Sequence, residues 1–239
     1  MNASTAARLA ELPRDRLLVE MSLWSADLTR LADAIARVDH LADAYHIDVA
    51  DGHFSPQLLF FPDLVAAIRK LTRRPLHVHL MARDEILLEQ IEQFSAAGAD
   101  IVSVHAENAI VNDALSLIEA LGCTSGLVLQ LQTPVAVAAA YLDRVSVITL
   151  LGTRIGVKGQ DLDSEALARL QEARALIRAR AGTRHTILVA DGAIRQHTVE
   201  GLRRAGADAV VAGSLVFNAS DIDRQVRWLH TLQAEGAQR

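Results

Sequence analysis

A single cysteine, Cys123, in 239 residues excludes an intrachain disulfide framework and fits a reducing compartment. It falls at the start of an apolar run, where a buried structural thiol is expected rather than a nucleophile. No apolar stretch approaches the about 20 residues needed to cross a bilayer. Long basic runs are missing too, and a net charge of −5 removes the electrostatic case for nucleic-acid binding. Residues 1–16 are rich in Ala but broken by Arg8, Glu11, Arg14, Asp15 and Arg16, so they lack the apolar core of a secretory signal. A short helix or partly ordered extension is expected there, and the cytoplasm is the expected location. No linker, low-complexity tract or shift in composition marks a second domain, so residues 17–235 are expected to form one catalytic unit.

What the chain does have is a hydrophobic fraction of 51% with 22% charged residues, ordinary for a protein with a sizeable core. Apolar, β-rich runs alternate with segments of helical period. Strands are expected at Leu17–Met21, Tyr45–Val49, Pro75–Met81, Asp100–His105, Thr124–Leu129, Ser146–Leu151, Thr186–Ala190 and Ala209–Ala212. The helices between them are expected from Asp27 to Leu41, Phe61 to Leu71, Asp84 to Ala97, Ile110 to Leu121, Pro134 to Tyr141, Ser164 to Ala181, with a stop at Gly182, and His197 to Ala205. A last helix is expected from Asp221 to Leu232. The phrase Ala-Gly-Ala-Asp closes a helix and opens a strand twice, at 97–100 and 205–208. Eight strand–helix units in a chain of this size imply an α/β fold, a closed (β/α)8 barrel.

Barrels of this kind build their sites at the C-terminal ends of the strands. The polar residues at those ends are Ser22, His46, Asp48, His79, His105, Gln130, Asp191 and Ser214. The second strand, Tyr45-His-Ile-Asp-Val-Ala-Asp-Gly-His-Phe54, sets His46 and Asp48 on one face, as metal ligands from a strand often lie. The alternative for that segment is a strand running into an Asp51-Gly52 turn, with His46 a hydrogen-bonded core residue. His46, Asp48, His79 and Asp191 together make a two-imidazole, two-carboxylate set that suits one divalent metal per chain, Zn, Mn or Fe. His77 shares the parity of His79 and reads as support for a ligand or as packing. His105 and Glu107 are weaker candidates, and His53, His185, His197 and His230 are expected on loops or helix surfaces. Two glycine-bearing loops, Gly152–Gln160 and Gly213-Ser214, follow late strands, where backbone amides form anion nests; Arg154 and Lys158 add charge to the first.

These phrases give the chain a resemblance to the ribulose-phosphate 3-epimerase family of phosphate-binding TIM barrels. It is carried by Ser22-Leu-Trp-Ser-Ala-Asp27, His46-Ile-Asp-Val-Ala-Asp-Gly-His-Phe54, Val78-His-Leu-Met81, Val104-His105, Gly156-Val-Lys-Gly-Gln160, Asp191-Gly-Ala193 and Ala212-Gly-Ser214. The resemblance implies metal-dependent epimerisation at C3 of a phosphorylated ketose, first of all D-ribulose 5-phosphate to D-xylulose 5-phosphate, in a protein that forms homo-oligomers. It implies that Asp48 and Asp191 are both ligands and the paired acid/base groups, working through an enediolate, and that Ser22 and His79 contact substrate. It assigns phosphate binding to Gly156, Val157, Lys158, Gly159, Gly192, Ala193, Gly213 and Ser214. Departures gather around the substrate: Met21, Ala50, Leu151, Arg154-Ile155, Lys158 and Ala193 stand where the family carries other residues. A different ketose phosphate, a tetrulose 4-phosphate or allulose 6-phosphate, therefore stays open. The related decarboxylases and hexulose-phosphate synthases use Asp-x-Lys-x-x-Asp, and the corresponding His46-Ile-Asp-Val-Ala-Asp51 has no lysine. A barrel kept only for binding or assembly is the remaining alternative.

Overall fold

The computed structural model describes Leu9, residues 11–180 and residues 185–234. Its strands are β1 (Leu18–Ser22), β2 (Ala44–Ala50), β3 (Leu76–Met81), β4 (Ile101–His105), β5 (Thr124–Leu129), β6 (Val147–Leu151), β7 (Ile187–Asp191) and β8 (Ala209–Ala212). Each pairs in parallel with the next, and β1 pairs with β8, closing the barrel through Leu18 opposite Ala209 and Met21 opposite Ala212. All eight expected strands are present, with ends moved by a residue or two. The helices are α1 (Leu31–Val38), α2 (Pro62–Leu71), α3 (Asp84–Ala96), α4 (Val111–Ala120), α5 (Ala166–Ala179), α6 (Val199–Arg204), α7 (Ser214–Phe217) and α8 (Ile222–Thr231).

Local chemistry explains several helix ends. Pro62 opens α2 in its first turn, where no amide proton is needed, and Arg69 and Lys70 sit in the last turn, where the carbonyls point out. Asp221 caps α8 by accepting from the Arg224 amide at 2.9 Å. Asp27 likewise accepts from the Thr29 amide at 3.0 Å, but it opens a 3₁₀ turn (Leu28–Arg30) that then passes into α1. The segment after β5 corrects an expectation of α-helix: Val135–Tyr141 is a 3₁₀ helix. Val135 and Ala138 are buried and Tyr141 packs on the core, a spacing of three that suits 3₁₀ geometry. The short α7 was not foreseen. Gly182, the expected helix stop, most of the N-terminal extension and the end of the expected unit at 235 lie outside the described residues.

The repeated Ala-Gly-Ala-Asp phrase has one structural job. Gly98 and Gly206 take φ of 100° and 115°, which a side chain disfavours. Each then delivers an aspartate that ties the preceding strand. Asp100 Oδ2 accepts from the Leu76 amide at 3.0 Å and from Arg69 at 2.8 Å. Asp208 Oδ2 accepts from the Leu188 amide at 2.9 Å and from Arg174. Asp43, before β2, repeats the device on the Val19 amide and Arg16. The barrel's N-terminal end is thus locked by three carboxylates that take no part in the opposite face. Inside that end Leu18, Ile101, Val147, Val189, Ala209 and Val211 form a separate apolar cluster, against which Leu9 and Leu12 of the extension pack.

Candidate metal and acid/base site

The polar site lies at the C-terminal face, over a cavity of about 310 Å³ that reaches Asp48, His79, Asp191 and the glycine-bearing loops. His46 and Asp48 project from β2, His79 from the adjacent β3 and Asp191 from the end of β7. One ligand-capable atom from each lies within 4.8 Å of the others. His46 Nε2 is 3.4 Å from Asp48 Oδ1 and 3.8 Å from Asp191 Oδ2. His79 Nδ1 is 3.2 Å from Asp48 Oδ1 and 3.8 Å from Asp191 Oδ2. Four ligands at about 2.0–2.1 Å around a tetrahedral ion are separated by about 3.3 Å, so these spacings suit a divalent cation.

Hydrogen bonding behind the two imidazoles fixes which nitrogen of each faces the carboxylates. His46 Nδ1 donates to Glu20 Oε2 at 2.9 Å, and its fully buried Nε2 has no hydrogen-bond partner. On the other side, His105 Nδ1 donates to Glu107 Oε2 at 2.9 Å, which leaves His105 Nε2 to accept from His79 Nε2, also at 2.9 Å. His79 Nδ1 lies within hydrogen-bond reach of Asp48 Oδ1, at 3.2 Å, and also faces the Asp191 carboxylate. Burial holds the His105 ring down to about 4, against the hydrogen bond to Glu107, so it is neutral in this chain. An orphaned imidazole nitrogen, a second imidazole nitrogen facing the same space and two carboxylates fit a cation.

The charges respond to that crowding. Burial alone would lower His46, but the Asp48 carboxylate and the Glu20 hydrogen bond raise it well above the usual histidine range. Burial alone would raise Asp48, but His46 and His79 hold it below the usual carboxylate range. Asp191 goes the other way: burial pushes it up to about 6, the His46 charge opposing and the Asp48 carboxylate adding. Two carboxyl groups with divergent proton affinities on β2 and β7, nearly opposite in the ring, can work as one base and one acid.

The loops close over this floor. Ser22, Met81, Leu151 and Ser214 line the cavity, together with Gly156, Val157, Lys158, Gly159, Gly192, Ala193 and Gly213. Ala193 is the lone described non-glycine residue with positive φ, 53°, and it follows Gly192 at 98°. Lys158 Nζ donates to the Trp24 carbonyl at 2.6 Å and lies 4.5 Å from the Trp24 ring centroid, so the loop after β6 reaches the one after β1. Arg154 turns to Gln160, whose Oε1 accepts from its Nε at 3.1 Å. Ala50 is buried at the end of β2. Asp51 stays out of the cage: it binds the amides of His53, Phe54 and Arg83 and shapes the turn. His230, expected on a helix surface, is mostly buried, its side chain 3.3 Å from Asp43.

Three residues carry more than the sequence suggested. His105 and Glu107 form the chain behind His79. Glu20 was not singled out; the available signal was a lone carboxylate inside the apolar strand Leu18-Val-Glu-Met-Ser22, at the parity of Ser22.

Residues 18–217 match the family described as the ribulose-phosphate 3 epimerase family. Ribulose-phosphate 3-epimerase 1 of Cupriavidus necator is 37% identical over 206 residues, covering 84% of this chain and 85% of that protein. The ribulose-phosphate 3-epimerase of Bacillus subtilis is 36% identical (85% and 93% covered), and that of Escherichia coli 33% (87% and 92%). Among solved structures, a 3-hexulose-6-phosphate synthase superposes with a TM-score of 0.65 over 92% of this chain and all of that one, at 17% identity. At that identity the likeness shows the fold alone. No helix among the described residues is long and apolar enough to cross a membrane.

Proposed function

Because the chain belongs to the ribulose-phosphate 3-epimerase family, we propose that it inverts C3 of a phosphorylated ketose, D-ribulose 5-phosphate giving D-xylulose 5-phosphate. The observation that carries this reading is the Asp48–Asp191 pair, set on strands nearly opposite in the ring and split in proton affinity. One carboxylate takes the C3 proton from one face of the sugar, and the electron pair moves into the C2 carbonyl to give an enediolate. The other carboxyl group returns a proton to the opposite face, so the centre inverts without a redox cofactor. In the reverse direction the two exchange roles.

His46, Asp48, His79 and Asp191 would hold one divalent ion, Zn, Mn or Fe. Bound there, it supplies positive charge against the oxygens on which the enediolate charge builds. His46 and His79 are held by Glu20 and by His105–Glu107, so neither imidazole has to turn to meet it. Ser22 and His79 contact the sugar. Gly156, Val157, Lys158, Gly159, Gly192, Ala193, Gly213 and Ser214 hold the phosphate, supported by their place around one cavity. The proposal also takes in one catalytic unit from 17 to 235, a cytoplasmic location, supported by the unpaired Cys123, and a homo-oligomer, which sedimentation would test.

The test is formation of xylulose 5-phosphate by protein stripped with a chelator and then reloaded. Activity should disappear on stripping and return with metal; a metal-free preparation that remains fully active contradicts the reading. A second substrate is favoured by Leu151 and Lys158, which line the cavity where the family pattern differs. A tetrulose 4-phosphate or allulose 6-phosphate would then win on kcat/KM across a panel of four-, five- and six-carbon ketose phosphates.

A further inference from the structure

Beneath the cage lies a second group of titratable side chains. Glu20, in the middle of β1, is 5% exposed, and His46 and His77 beside it are fully buried. A carboxylate in such a place is unfavourable unless hydrogen bonds or paired charges compensate it. Here a single oxygen, Oε2, takes two: from His46 Nδ1 at 2.9 Å and from His77 Nδ1 at 2.8 Å. The far nitrogen of His77 accepts from the Ser103 hydroxyl at 2.6 Å. Gly126 makes room for that hydroxyl, since a Cβ there would lie 1.9 Å from Ser103 Oγ.

Glu20, His46 and His77 also satisfy the simple requirement for a metal cluster, three donors close together. Their spacing argues otherwise. Separations of 2.8 and 2.9 Å are those of hydrogen bonds, shorter than the about 3.3 Å between ligands of a tetrahedral ion, whereas the upper group spans 3.2 to 3.8 Å. Each nitrogen of His77 is already engaged, while His46 Nε2 is not. The lower group is therefore a support, and the upper group is the seat.

We propose that Glu20 is the positioning residue of this centre: its carboxylate keeps the His46 proton on Nδ1 and so presents the Nε2 lone pair to the metal. His77 and Ser103 hold Glu20 in that role and are not ligands. The proposal rests on the reading of His46 as a ligand. It follows from the way a carboxylate behind a ligating imidazole fixes both the tautomer and the ring plane and strengthens the nitrogen as a donor. The two ligand imidazoles are thereby used in opposite senses, His46 through Nε2 and His79 through Nδ1, each with its own carboxylate behind it. They differ in setting: Glu107 is partly exposed at the loop after β4, whereas Glu20 lies inside the barrel, largely shielded from water.

The test is metal affinity of the purified protein, measured by competition with a chromophoric chelator using zinc and manganese. Glu20→Gln keeps the side-chain shape, but its amide can donate as well as accept, so His46 is free to take either tautomer. The dissociation constant of Glu20→Gln should rise about 10- to 100-fold over wild type, with the circular dichroism spectrum unchanged. Glu20→Asp, which keeps the charge and withdraws it by one methylene, should recover part of that loss. Wild-type protein that takes up metal, with Glu20→Gln within twofold of it, would overturn this proposal alone. Wild-type protein that takes up no metal would overturn the metal reading and this proposal with it. If Glu20→Gln does not fold, long-range proton–nitrogen correlation of the imidazoles in zinc-loaded wild type decides: a proton on His46 Nδ1 supports the proposal, and a proton on Nε2 overturns it.

Discussion

From β2 to β4 the inward positions read His46, Asp48, His77, His79, Ser103 and His105; from β5 to β8 the same parity reads Gly126, Val128, Val147, Thr149, Val189 and Val211 before ending in Asp191. The two halves share a ring of parallel hydrogen bonds and are equally buried, yet one is a chain of titratable groups and the other a packed apolar wall. Burial of apolar surface stabilises the second half outright, at about 25 cal/mol per Å². The first half gains nothing of that kind. Its members are tolerated because most of their polar atoms meet: Glu20 with His46 and His77, His77 with Ser103, His79 with His105, His105 with Glu107. A barrel selected for stability alone could carry valine at those positions. The difference teaches that the polar half is there for chemistry, and that its one unpartnered imidazole nitrogen, His46 Nε2, marks where that chemistry is centred.

Substitutions can break this contrast from either side. In the polar half, Asp48→Asn and Asp191→Asn preserve shape and remove proton transfer, so turnover should fall by at least about a hundredfold and by as much as about ten-thousandfold. Thermal midpoints should change little by comparison, and metal content measured in parallel separates lost proton transfer from lost binding. In the apolar cluster at the barrel's N-terminal end, where Leu18 of β1 packs with Val147, Val189, Ala209 and Val211 of that wall, the pattern should invert. Leu18→Ala, in the cluster at the N-terminal end, should destabilise by about 2–4 kcal/mol in urea unfolding while the folded enzyme keeps its kcat. A Leu18→Ala protein that is stable but inactive would erase the distinction.

A smaller effect should appear with pH. Burial alone would raise Glu107, but hydrogen bonds from His105, Thr133 and the Gln130 amide bring it from the ordinary 4.5 down to about 2. The folded state thus binds this proton more weakly than the unfolded chain. Its contribution is complete above pH 4.5 and is lost as pH falls toward 2. With part of the group exposed, about 2 kcal/mol is a fair scale. The gap in stability between wild type and Glu107→Gln should therefore be widest near neutral pH and narrow steadily on acidification below pH 4.5. A gap that widened there would reverse the sign and discard the assignment.

The smallest effect belongs to the rim. Lys158 bridges to Trp24 across the cavity mouth, and Lys158→Ala should raise KM for the phosphorylated substrate by a few-fold, about 1 kcal/mol, with kcat nearly unchanged. An unaltered KM for every sugar would make Lys158 a solvated loop residue.

The sequence was most readable where one period or one motif decides the structure. Strand alternation put His46 and Asp48 on one face, and the doubled Ala-Gly-Ala-Asp phrase marked two helix-to-strand joints that prove to be the same device. It was least readable where partners come from distant strands. Glu20 looks like a misplaced charge in β1 until His46 and His77 are seen to share its Oε2. His105 looks like a polar strand end until its Nε2 meets that of His79. Helix type after β5 was misjudged because a run of Val and Ala fits α and 3₁₀ periods alike over seven residues, and only the packing of Val135 and Ala138 chooses. Lys158 read as a phosphate group's neighbour; its reach to Trp24 depends on how two loops 134 residues apart in sequence fold over one mouth.

The most direct test of two-carboxylate epimerisation is turnover of D-ribulose 5-phosphate in deuterated water by the metal-loaded enzyme, with product and remaining substrate examined by NMR. Xylulose 5-phosphate carrying one solvent deuteron at C3 is the expected result, and Asp48→Asn or Asp191→Asn should abolish its formation. Inverted product with the original C3 hydrogen still in place would contradict proton transfer by this pair.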